Sequence, residues 1–151
     1  MRLIAAALVA FLCAWSVAAA DPGKGESTKR YGIEADLKAY PQSTPKETLA
    51  SVLKAVENKR VDYLVAQLAD PEYVDERVKR IFGGKFEEQV NDTRTKLDPP
   101  TVKLLERFLK DGDWIGKESP ASVVLKDVKD RAVSFVKIGD RWYMQNNDKP
   151  E

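Results

Sequence analysis

Few side chains in this sequence could carry chemistry, because it holds no histidine and a single cysteine, Cys13. Without imidazole the usual general base near neutral pH is missing. Serine–histidine and cysteine–histidine nucleophiles are therefore excluded in their ordinary forms, as are zinc sites built on histidine or cysteine. Carboxylates remain. Glu87-Glu88 and Asp75-Glu76 could do acid–base work if burial raised the pKa of one member. Adjacent helical residues point in different directions, however, and the basic residues around both pairs make the pattern of a solvated face. Asp111-Gly112-Asp113 comes nearest to an oxygen-only metal site but lacks the alternating acidic spacing of a calcium loop. Gly23-Lys24-Gly25 lacks the spacing of a phosphate loop. Asn91-Asp92-Thr93 has the form of a glycosylation acceptor, a pattern short enough to arise by chance. No metal and no cofactor is expected.

Five aromatic residues are the candidate ligand-binding set: Tyr63, Trp114, Phe135, Trp142 and Tyr143. A ligand pocket is mostly apolar with a few convergent polar groups, and large rings lining the space between helices and strands would supply its walls. The same rings at strand spacing also read as core, since aromatics contribute much of a small domain's buried area.

The elements that would position these rings follow from the spacing of apolar residues. Thr44-Pro45-Lys46-Glu47 combines a threonine cap, a proline at the first helical position and a glutamate three residues beyond the cap. Leu49, Val52, Leu53 and Val56 then recur at threes and fours, which predicts a helix to about Asn58. Val61, Leu64, Val65 and Leu68 predict a second helix, ended at Asp70-Pro71, where a third begins. Val74, Val78, Ile81 and Phe82 form the stripe of that third helix, and Gly83-Gly84 ends it. Phe86, Val90 and Leu97 suggest a fourth. After Asp98-Pro99-Pro100, the residues Val102, Leu104, Leu105, Phe108 and Leu109 make a fifth, closed by Asp111-Gly112.

Near Trp114 the rhythm shortens toward that of strands, expected at about 113–117, 121–128, 131–138 and 141–146. Lys129-Asp130 and Gly139-Asp140 read as two-residue hairpin connections, so the strands form an antiparallel meander. Val123 with Leu125, Val133 with Phe135, and Trp142 with Met144 are expected to share faces. The expected fold class is α+β, with N-terminal helices packed on one face of a C-terminal antiparallel four-stranded meander. A single domain is expected over residues 44–146, preceded by a flexible leader at 21–43 and followed by a disordered tail at 147–151.

Residues 1–20 read as a signal peptide: Met1-Arg2, an apolar run from Leu3 to Val17, and Ala18-Ala19-Ala20 before Asp21-Pro22. Cys13 follows Phe11 and Leu12 rather than a small residue, which argues against a lipid attachment site, so it should leave with the signal. The expectation is an exported protein, periplasmic or extracellular, with no membrane attachment after cleavage. Lysine and arginine number 25 against 24 acidic residues. Loss of Arg2 with the signal brings that excess to zero. Nucleic acid, which needs a concentrated basic face, is not an expected partner.

The segment from Thr44-Pro45-Lys46-Glu47-Thr48-Leu49 through Val61 to Asp70, and the ending Phe135 to Met144 with its Gly139-Asp140-Arg141-Trp142-Tyr143 turn, resemble the nuclear-transport-factor-2-like superfamily. These stretches look like that superfamily's opening helix pair and last hairpin. The resemblance implies a cone-shaped α+β fold and, because sheets in the superfamily often pair, a homodimer through the sheet. It carries over no tyrosine–aspartate catalytic constellation, and Phe82 to Leu109 departs from its enzymes in being helical and charged. The leading expectation is a non-catalytic exported module that binds a small molecule or a protein partner through the concave side of its sheet. The alternative is an acid–base enzyme, of isomerase or hydrolase type, using a carboxylate with Tyr63 or Tyr143. A structural, envelope-associated protein is a third reading.

Overall fold

The computed structural model describes residues 29–145. The expected signal peptide, residues 21–28 of the leader and the tail at 147–151 lie outside the described residues. Helix α1 (Pro45–Glu57) opens where its cap requires. The Thr44 Oγ1 accepts the Glu47 N–H at 3.1 Å, while the Glu47 carboxylate reaches back to the Ser43 N–H at 3.0 Å, one residue earlier than a standard capping box. Helix α2 (Val61–Tyr63) continues directly into a π-helical turn (Leu64–Leu68), closed by the Ala69 N–H on the Leu64 carbonyl. All five residues of that turn are buried, so this segment is surrounded by protein.

Helix α3 (Pro71–Arg80) is capped by Asp70, whose Oδ1 accepts the Glu72 N–H. Val74 and Val78 are buried on it, but Ile81, expected on the same stripe, lies past the helix end and is 54% exposed. Gly83 and Gly84 turn the chain with φ of 58° and 85°, a region that glycine enters without a steric penalty. Helix α4 (Phe86–Lys96) and helix α5 (Pro99–Asp111) follow, the latter capped by Asp98. Gly112 closes α5. A Cβ there would overlap the Phe108 carbonyl oxygen and the Val123 side chain, so only glycine lets the chain pass this close to the sheet.

Strands β1 (Asp113–Ile115), β2 (Ala121–Leu125), β3 (Val128–Ile138) and β4 (Arg141–Gln145) form one antiparallel sheet in chain order. The fold is α+β, with helices preceding the sheet. One hairpin differs from its expectation. The connection between β2 and β3 is Lys126-Asp127, and Lys129-Asp130 belongs to β3. Leu125 faces Val128 across the turn, and an irregularity between Val124 and Leu125 absorbs the change of register. A charged pair at an exposed strand start is locally indistinguishable from a turn. Gly139-Asp140 is a turn as read, with Gly139 at φ 60°.

Val123 lies opposite Val133, and Phe135 opposite Met144, on the face covered by α1 and α5. The interior divides into two clusters. Leu49, Phe108, Val123, Leu125, Phe135 and Trp142 fill the layer between the sheet and α1 and α5. Val52, Val61, Tyr63, Leu64, Leu68 and Val74, among others, form a helical core beside it. Met144 packs against both.

The leader differs from its expectation from Arg30 onward. Tyr40 and Gln42 are buried, and Gln42 is fixed at the edge of β4. Its backbone carbonyl accepts the Trp142 N–H at 2.9 Å, and its Nε2 donates to the Trp142 carbonyl at 2.7 Å and the Gln67 carbonyl at 3.0 Å. Its Oε1 accepts Arg141 Nη2 at 2.6 Å. Arg141 also donates to the Gln67 side chain at 3.0 Å, and the Gln67 Nε2 donates to the Ile33 carbonyl at 2.7 Å. Together with the Asp70 N–H on the Met144 carbonyl, these bonds cover a strand edge that would otherwise present open backbone groups. Gln42→Ala strips partners from Arg141 and from two buried carbonyls, and should lower stability by about 1–3 kcal/mol in urea unfolding; an unchanged midpoint would show that the network is dispensable.

Candidate functional site

The five aromatic candidates do not converge on one open space. Phe135 and Trp142 are buried on the inner face of the sheet, where Trp114 tilts over Phe135 at 5.8 Å between ring centroids. Tyr63 lies in the helical core, stacked on Tyr40 at 4.4 Å, with its hydroxyl accepting the Asp36 N–H at 2.9 Å. Burial pushes the Tyr63 phenol up, and the Asp36 N–H opposes that shift. Tyr143 pairs with Val136 on the opposite face of the sheet, with the Arg141 guanidinium 5.1 Å from its ring.

Of several hollows, one with a mostly apolar wall lies to the side, where the π-helical turn, α3, α4 and α5 meet the end of β4. A cavity of about 260 Å³ is walled there by apolar side chains including Leu64, Val65, Val74, Leu97 and Leu105. None of the five aromatic candidates lines it. Its polar wall comes from two helices. Arg77 of α3 donates from Nε to Gln89 Oε1 and from Nη2 to Asp92 Oδ2, both at 3.0 Å. Its guanidinium also sits 5.6 Å from the Tyr73 ring and 5.5 Å from the Phe82 ring, contacts that attract a cation electrostatically. Lys96 reaches the same Asp92 Oδ2 at 3.0 Å. Gln89, itself buried, donates to Thr93 Oγ1 at 3.1 Å.

These residues fall at 89, 92, 93 and 96, spacings of three and four that put them on one side of α4. That polar stripe beside an apolar one was the signal available in the sequence. The stripe reads as exposed surface because Asp92 and Thr93 fall within Asn91-Asp92-Thr93, a pattern that belongs on a surface, and because a charge on a helix is ordinarily solvated. The arrangement presents two cations against one carboxylate at the border of an apolar cavity, which is suited to binding an amphipathic molecule.

The carboxyl groups offer little to acid–base chemistry. No aspartate or glutamate among the described residues is buried. The half-buried ones are engaged: Asp62 by Arg60, Asp70 by the α3 cap, and Asp92 by Arg77 and Lys96. Where a shift occurs it is downward. Burial works to raise Asp62, but the bond from Arg60 and backbone N–H groups outweigh it. Hydrogen bonds from Thr101 lower Asp98, and one from Arg107 lowers Asp127. Among the described residues no group of three or more acidic or cysteine side chains could hold a metal ion. No helix among them is long and apolar enough to cross a membrane.

A strap from the leader holds α3 and α4 together outside the cavity. Arg30 and Ile33 bond to each other through their backbones, and the intervening Tyr31 and Gly32 have φ of 51° and 81°, as in the tight turns of hairpins. Arg30 bonds to Asp75 at 2.6 Å and to the Ala66 carbonyl at 2.8 Å. The Tyr31 ring stacks on Phe86 at 4.2 Å, and its hydroxyl donates to Asp75 at 2.6 Å. Burial, followed by the bond to the Asp75 carboxylate, pushes the Tyr31 phenol from its ordinary 10.0 up to about 12. The neutral phenol is thus favoured in the folded state, so its contribution is complete below pH 10 and lost as pH rises through about 12. Ultraviolet difference titration should show late ionisation of Tyr31 beside that of the buried Tyr63, and Tyr31→Phe should remove one tyrosine from the late step; a Tyr31 ionising near 10 would mean that the strap is undocked.

Compared with protein-family models, curated proteins and solved structures, the chain matches none of them.

Proposed function

We propose that the chain is an exported, non-catalytic binding domain that holds a small, largely apolar molecule in the cavity between the π-helical turn, α3, α4 and α5. The observation that carries this reading is open volume of about 260 Å³ beside well-buried neighbours. Protein interiors are otherwise close-packed, and binding sites are apolar clefts with a few convergent polar groups. Export is supported by the signal-like residues 1–20, and a non-catalytic role by the paired or solvated state of the carboxylates. The resemblance to the nuclear-transport-factor-2-like superfamily is retained as part of the proposal, on the helix-then-meander order and the last hairpin.

The neutral fluorophore N-phenyl-1-naphthylamine is a suitable probe. It should bind the purified protein saturably at one site with enhanced emission, and Leu97→Trp, which fills the cavity from its border, should abolish binding without lowering the unfolding midpoint. Absence of saturable binding to the unmodified protein would overturn the reading.

A protein partner is a second reading, favoured by the outer sheet face. Ile115 and Ile138 lie on the face opposite Phe135 and are 54% and 45% exposed. The partner proposed is a second copy joined through that face. Sedimentation equilibrium should then show concentration-dependent dimers that Ile138→Lys disperses, and a monomer at all concentrations would remove this reading.

A further inference from the structure

The cavity does not end at α5. A second, more open groove between α5 and β3 shares Thr101, Leu105, Met144 and Gln145 with it. On the far side of that junction the groove is floored by Leu104, Phe108 and Val133. The two therefore adjoin across these four residues, each with apolar side chains in its wall. At about 260 Å³ the cavity alone is slightly below the roughly 300–1,000 Å³ typical of small-molecule sites, and the groove supplies room for an extended tail.

The cavity and the groove differ in charge. At the cavity end Arg77 and Lys96 converge on a single carboxylate, Asp92, leaving one positive charge in excess. Donors remain available there. A guanidinium carries five N–H donors and an ammonium three, more than the three contacts of Arg77 and Lys96 with Gln89 and Asp92 use. An anionic group could thus be received without displacing Asp92. Arg77 is also positioned beforehand: its side chain is only 17% exposed and is bordered by the Tyr73 and Phe82 rings. At the groove end, Asp130 and Arg131 are both exposed and balance each other.

Resting on the binding role proposed above, we infer that the ligand is a straight-chain carboxylate, with its head at Arg77 and Lys96 and its aliphatic tail passing Leu105 and Met144 into the α5–β3 groove. Arginine recognises a carboxylate through paired N–H donors, and a methionine at the junction can adapt to a chain of varied length.

Displacement of bound N-phenyl-1-naphthylamine by decanoate, decanol, decylamine and hexanoate tests this. Decanoate should compete at a concentration about tenfold lower than decanol, and decylamine should compete less well than decanol. Lys96→Met, at a side chain 54% exposed, should narrow the decanoate preference severalfold without changing decanol. Affinity should rise by roughly three- to fourfold per methylene from hexanoate to decanoate. Thr101→Phe, which blocks the junction, should abolish that rise while hexanoate binding is retained as the sign of a folded protein. Equal competition by decanol and decanoate, with the fluorophore still bound, would overturn the anionic head and leave the binding role intact. A chain-length gain that survives Thr101→Phe would overturn the tail path. If the fluorophore does not bind, the underlying binding role fails and this inference fails with it.

Discussion

The arrangement depends on a buried set of hydrogen bonds in which Arg141 is held by Gln42 and Gln67. A guanidinium taken partly out of water is tolerable only when acceptors replace the solvent, and here cation and acceptors come from three separate parts of the chain. The leader supplies Gln42, the π-helical turn supplies Gln67, and the last strand supplies the cation. Because each glutamine offers both donors and acceptors, the same side chains also satisfy the carbonyls of Trp142 and Ile33. The wider coil of the π-helical turn belongs to this arrangement, since it is buried along its whole length and contributes to both the polar network and the cavity wall.

The position of the cavity follows from the way the two cores meet. One is a layer of side chains between sheet and helices, the other a cluster among helices, and Met144 touches both. Where a helical core abuts a sheet edge, surfaces of different curvature come together, and space is left beside the shared methionine. Arg77, Gln89, Asp92 and Lys96 border that space because α3 and α4 pack on each other. The strap of Arg30 and Tyr31 ties the pair from outside through Asp75 and Phe86. Apolar walls with a few convergent polar groups are the usual make-up of a small-molecule site.

Much of the fold was legible because its signals are local. Thr44-Pro45, Asp70-Pro71 and Asp98-Pro99 each announce a helix through a cap and a proline, chemistry that involves only neighbouring residues. Gly139-Asp140 is likewise a turn by its own backbone freedom. Structure departs from local pattern where distant contacts decide. Lys129-Asp130 looks like a turn until Leu125 is seen opposite Val128, and Ile81 fits the apolar stripe of α3 until the helix stops one residue short of it. Residues 30–43, polar and without periodicity, carry no local signal of order, because what holds Gln42 and Tyr40 lies up to a hundred residues away.

The sequence by itself determined the order of helices and strands, the missing histidine chemistry, the near-balance of charge, and the identity of the large rings that would fill the interior. Those properties reside in residue type and short-range spacing. Only the tertiary structure decided that the rings divide between two cores and the outer face of the sheet, and that an apolar cavity lies away from them beside a polar stripe on α4. A cavity is the place where side chains from remote segments fail to meet, and no local pattern records such a failure.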